Sequence, residues 1–237
     1  MGMLDKFFGE KGGPTPPATE NAAAEKAVFH RPYKNNELSI IYNLLFCDGL
    51  SLYRDHFKGT PVSPWHELFL NPKQISELEK IANDPQTESR IRILAFNEWR
   101  RLGAQSPKKE LLGVIVEVGM PDGLDVLAVY RDHTARYINY SERMIIWENA
   151  QDAGIDGTIA ELFRTSGELV SRIGPWDKDR LPPPKNGEAR ITFLVSDGLY
   201  FGYGPFDALF KDSMGGRVLT AASELMALLI NKSLAKA

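Results

Sequence analysis

Residues 110–132 read ELLGVIVEVGMPDGLDVLAVYRD, and the reading of these two apolar runs decides the fold. Each is short and rich in β-branched residues, and Pro121-Asp122-Gly123 between them is turn chemistry, so the stretch predicts a β-hairpin. Leu112, Val114, Val116 and Val118 are expected on one face, while Leu111 and Ile115 make the other face apolar too. A strand that is apolar on both sides needs cover on both. ARYINY at 135–140 and RMIIWEN at 143–149 continue the alternation past Asp132-His133-Thr134 and Ser141-Glu142-Arg143, which predicts a four-strand antiparallel meander.

The cover lies on either side in the sequence. Leu38, Ile41, Tyr42, Leu45 and Phe46 repeat at helical spacing behind a cap at Asn35 or Asn36. Asn71-Pro72 and Asp84-Pro85 each place a capping oxygen before a proline, which predicts helices near 72–83 and 85–102, the second stopping at Gly103. After the meander, Ile155, Ile159, Leu162, Phe163, Val170 and Ile173 mark a helix ended by Gly174-Pro175, and Leu219, Ala222, Leu225, Met226 and Leu229 mark a last one. Between them, RITFLVSDGLYFGYGPFDALF at 190–210 reads as one strand, a glycine-punctuated aromatic turn and a short helix. The expected fold is α+β: a helical segment at 35–106, then a mainly antiparallel sheet with packed helices at 107–237, the two forming one domain or two. Residues 1–34 are expected to be a flexible tail with a short amphipathic start, because 9–27 carry Gly, Pro, Ala and charge but no large apolar side chain.

Composition narrows function by exclusion. With 28 Lys and Arg against 31 Asp and Glu, a formal charge of −3 gives no broad attraction to nucleic acid. No run is long and apolar enough for a membrane span, the start lacks a signal-peptide pattern, and the single cysteine, Cys47, fits a reducing compartment; a cytoplasmic protein is expected. His66-Glu67 lacks the second histidine of a metalloprotease helix, so no metal is expected. Cys47 follows Leu44, Leu45 and Phe46 and reads as core rather than as a nucleophile. Gly202-Tyr203-Gly204 resembles half a dinucleotide fingerprint, but Asp207 occupies the third glycine position and would repel pyrophosphate, so no cofactor is expected. Arg100 and Arg101 near a helix end need no role beyond favourable placement in the helix dipole.

What remains is a cluster of rings and charges. Trp176, Asp177 and Arg180 lie in a long loop at 174–188, and Asp197, Tyr200 and Tyr203 in the expected turn at 197–207. Such a group can form a binding groove, since rings supply contact area and charges fix orientation; the plainer reading has Trp176 and Phe201 filling the core while the glycines permit the turn. The function this favours is a non-enzymatic interaction or regulatory module with a protein partner, the alternative being a small-molecule-binding domain or an unfamiliar enzyme using the same residues.

At KKELLGVIVEV, GLDVLAVYRDHTARYINY, IGPWDKDR and RITFLVSDGLYFGYGP the chain resembles a bacterial protein family of unknown function, over about residues 36–237. The resemblance implies a bacterial, cytoplasmic protein and no particular chemistry. In that family the second hairpin typically reads Asp-Gly-Thr; His133 stands here for the glycine, which argues against a tight primed turn.

Overall fold

Asn35 opens the first helix, its side chain accepting hydrogen bonds from the amides of Glu37 and Leu38 and so satisfying donors that a helix start leaves unpaired. The computed structural model describes residues 28–104, 108–148 and 151–235; most of the expected tail, with its amphipathic start, lies outside them. Five described helices precede the sheet: α1 Asn36–Leu44, α2 Leu50–His56, α3 Trp65–Phe69, α4 Ile75–Asn83 and α5 Ser89–Arg101. Two of these start later than their prolines predict. The Asp84 carboxylate accepts from the Gln86 amide at 2.9 Å and the Thr87 hydroxyl at 2.8 Å, so it closes a local turn rather than capping a helix, and α5 begins only after Glu88. Likewise α4 begins after Gln74, not at Pro72. At its other end α5 gives way to Gly103 with φ +82°, the left-handed exit that glycine allows.

The meander forms as expected: β1 Leu111–Met120, β2 Gly123–Tyr130, β3 Ala135–Ile138 and β4 Met144–Trp147. After α6 Ala153–Val170 come β5 Glu188–Val195, β6 Gly198–Pro205, α7 Phe206–Lys211 and α8 Gly215–Leu234. The sheet order is β4-β3-β2-β1-β5-β6 with every pairing antiparallel, and the fold is α+β.

Two local expectations are corrected. The segment at 197–207 is not a turn: Val195 faces Gly198 across a hairpin whose loop is Ser196-Asp197, and GLYFGYGP is strand β6. Tyr200, Gly202 and Gly204 alternate with Leu199, Phe201 and Tyr203 at strand period, a pattern that the glycines disguise. Leu112 does not share a face with Val114, because the register shifts between Leu111 and Gly113; it joins Ile115 beneath the N-terminal helices, while Val114 and Val116 face the C-terminal ones. The second hairpin turns without a primed pair, as expected: the His133 amide donates to the Tyr130 carbonyl at 3.0 Å, Arg131 and Asp132 between them are not at positive φ, and His133 itself adopts φ +66°, its Nδ1 lying 2.6 Å from Asp156 Oδ1.

The sheet separates two cores. One lies against α6 and α8, with Val116, Phe193, Leu162 and Leu225; the other lies against α1 to α5, with Ile115, Leu194, Tyr42 and Leu94. The N-terminal helices therefore share a core with the strands. The long connection after α6 crosses the sheet at Gly119, whose carbonyl accepts from the Gly187 amide at 3.0 Å. A Cβ on Gly119 would lie 2.0 Å from the Lys185 carbonyl oxygen, a contact with backbone on both sides. Gly119→Ala is expected to cost about 1–3 kcal/mol in urea denaturation; an unchanged midpoint would show that the connection is not held against β1.

Candidate functional site

Two charges stand inside otherwise apolar strands. Glu117 in β1 and Arg190 in β5 are register partners on the face toward α1, and both are buried. Arg190 donates from Nε to Glu117 Oε2 at 2.5 Å and from Nη2 to Oε1 at 2.8 Å. The Tyr42 hydroxyl of α1 donates to the same Oε1 at 2.7 Å. The remaining guanidinium nitrogen, Nη1, reaches the carbonyls of Leu181 and Pro182 at 2.8 and 2.9 Å. A buried ion pair is tolerable when its hydrogen-bonding capacity is filled, and here the filling groups come from a helix and from the loop at 171–187.

Arg180, in that loop, repeats the device one step outward. Its Nε donates to Asp48 Oδ2 at 2.7 Å, and its Nη2 donates to Asn43 Oδ1 at 2.9 Å and to the Val28 carbonyl at 3.1 Å. The guanidinium lies over the Phe46 ring, 3.9 Å from its centroid, a favourable seat for a partly desolvated cation. His30 Nε2 lies 3.4 Å from the Arg180 carbonyl oxygen, and burial, then the Arg180 charge, lower its pKa. Trp176 pins the loop at the other end: its amide donates to the Leu199 carbonyl at 2.7 Å, extending the edge of β6, and its ring meets Phe201 edge-on at 4.9 Å.

Between this loop, the end of α5 and the β5–β6 hairpin lies a cleft of about 550 Å³. Phe46, Ile93, Leu194 and Leu199 give it apolar surface, and Arg100, Arg101, Lys178 and Arg180 face Asp48, Asp177, Asp179 and Asp197 around it. Most of these charges are exposed or engaged, as Arg180 is with Asp48 and Arg101 with Glu98. Arg100 and Asp197 differ. Arg100 donates from Nη2 to Asn97 Oδ1, and Asp197 Oδ2 accepts from the Tyr200 hydroxyl at 2.8 Å; each is thereby oriented by one bond. Arg100 Nε and Asp197 Oδ1 are buried and have no hydrogen-bond partner among the described residues. Burial and the neighbouring Arg101 lower the pKa of Arg100, opposed by Asp197. Gly198 makes room for this arrangement, since a Cβ there would lie 3.0 Å from Pro175 Cβ and 3.1 Å from Arg100 Nη1.

Of the residues singled out in the sequence, Trp176, Asp177, Arg180 and Asp197 line the cleft. Tyr200 points through the opposite face into the α6–α8 core, and only its hydroxyl returns to Asp197. Tyr203 shares the face of Arg190 but lies farther along β6, bonded to Glu188. Glu117 and Arg190 have no reading of their own in the sequence, Tyr42 reads there as part of an apolar helix face, and Arg100 as a cation in the helix dipole. Glu117 and Arg190 had a visible signal, opposite charges in the middle of apolar strands. Arg100 had none, because a cation at a helix C-terminus is ordinary. Cys47 is fully buried, and burial pushes its thiol up to about 12. Among the described residues no group of three or more His, Cys, Asp or Glu is placed to hold a metal ion, and no helix is long and apolar enough to cross a membrane. No family model, curated protein or solved structure matches the chain.

The two arginines of the cleft are expected to differ on substitution. Arg180→Met strands the half-buried Asp48 and the buried Asn43 and should cost about 2–3 kcal/mol, whereas Arg100→Met removes a half-buried charge with no ion partner among the described residues and should leave the urea midpoint unchanged or raised. Equal losses would make Arg100 a structural residue.

Proposed function

We propose that the chain is a bacterial, cytoplasmic regulatory module that works by reversible binding, and that it binds in the cleft between α5, the 171–187 loop and the β5–β6 hairpin. The observation that carries this reading is that Arg100 and Asp197 line one concavity and that each keeps a buried polar atom, Nε and Oδ1, with no hydrogen-bond partner among the described residues. Such groups are costly in a folded protein unless something else satisfies them. The bacterial assignment rests on the family resemblance and the cytoplasmic one on the lone, buried Cys47. Of the two kinds of partner expected, a small ligand is favoured over a protein, because Arg100 and Asp197 line a concave surface of the kind that encloses small molecules.

The test is hydrogen exchange of the full chain with a bacterial extract split into a low-mass filtrate and a protein fraction. The filtrate should slow exchange in peptides covering residues 97–101 and 194–199. Protection by the protein fraction alone, protection elsewhere, or no protection would each overturn the assignment.

A further inference from the structure

The charges around the cleft identify the class of ligand. Four cationic and four carboxylate side chains line it, so it has no net field to select a polyanion or a polycation. Two of its lining residues keep a buried atom with no hydrogen-bond partner among the described residues, and these are of opposite kind, a guanidinium donor at Arg100 and a carboxylate acceptor at Asp197. They are also neighbours: Arg100 Nη1 lies 3.1 Å from where a Cβ on Gly198 would stand, and Gly198 follows Asp197 in the chain. A ligand with an acid and a positively charged donor on one carbon can meet both. The remaining surface is apolar, from Phe46, Ile93, Leu194 and Leu199.

We infer that the cleft takes an apolar α-amino acid, its carboxylate on Arg100, its ammonium on Asp197 and its side chain against the apolar wall. This rests on the cleft being the binding site. Charge-assisted bonds made out of water are the strong ones, and a site holding one donor and one acceptor rejects analogues that leave either unpaired. Arg180 takes no part, since Asp48 and Asn43 already hold its guanidinium.

Isothermal titration of the full chain with L-phenylalanine, L-leucine and L-methionine, and with phenylacetate and phenethylamine, tests the inference. L-Phenylalanine should bind, and both of its truncated analogues should bind at least about tenfold more weakly. Arg100→Gln should abolish binding, and Asp197→Asn should erase the preference for L-phenylalanine over phenylacetate. Should either variant fail to fold, the five ligands on the unaltered chain still decide the matter. Equal binding of phenylacetate and L-phenylalanine would overturn the zwitterion. If the low-mass filtrate protects the cleft while all three amino acids fail to bind, the ligand class is wrong and the site stands; if neither acts, both fall.

Discussion

A carboxylate and a guanidinium removed from water face each other across the two interior strands β1 and β5. Desolvating Glu117 and Arg190 is expensive, and their mutual attraction offsets it only if every remaining lone pair and N–H finds a partner. That requirement organises the molecule. The spare acceptor capacity of Glu117 calls for Tyr42, which fixes α1 over the sheet; the spare donor of Arg190 calls for the Leu181 and Pro182 carbonyls, which bring the 171–187 loop down beside it. An apolar pair at these positions would fill the space without saying which helix or loop belongs there. Arg180 extends the same logic, joining the loop to Asp48 and Asn43 and carrying Trp176 and Asp177 to the mouth of the cleft.

The cleft shows the opposite condition. A few residues from a network in which the buried arginines are matched, Arg100 and Asp197 are each oriented by one bond and left with a buried atom unmatched among the described residues. Local rules of polar satisfaction tend to fail where function needs them to fail. The surrounding network also ties the walls of the cleft down, through Arg180 to Asp48 and Asn43 and through the Trp176 amide to Leu199, the support that a preorganised site needs.

Much of the architecture was legible because it rests on period and turn chemistry. The alternation in 110–148 showed the meander, and the two-sided apolarity of β1 required helices on both faces. Two kinds of feature stayed hidden. Bulges and glycine-rich strands break the period: the shift at Leu111–Gly113 moved Leu112 to the other core, and Gly202 and Gly204 made β6 look like a turn. Contacts between distant segments leave no trace in spacing, so Arg100 read as a helix-dipole partner, although it meets the β5–β6 hairpin far along the chain. Trp176, Asp177, Arg180 and Asp197 come together as grouped, whereas the period-two geometry of β6 sends Tyr200 to the opposite face and displaces Tyr203 toward Glu188.

Hydrogen exchange of the Glu117→Leu/Arg190→Leu double variant tests most directly whether the buried pair positions the loop. The account predicts that β2 stays protected while the Trp176 amide, bonded to the Leu199 carbonyl at 2.7 Å, exchanges faster as the loop loses its anchor. Unchanged protection at Trp176 in a folded double variant would contradict it.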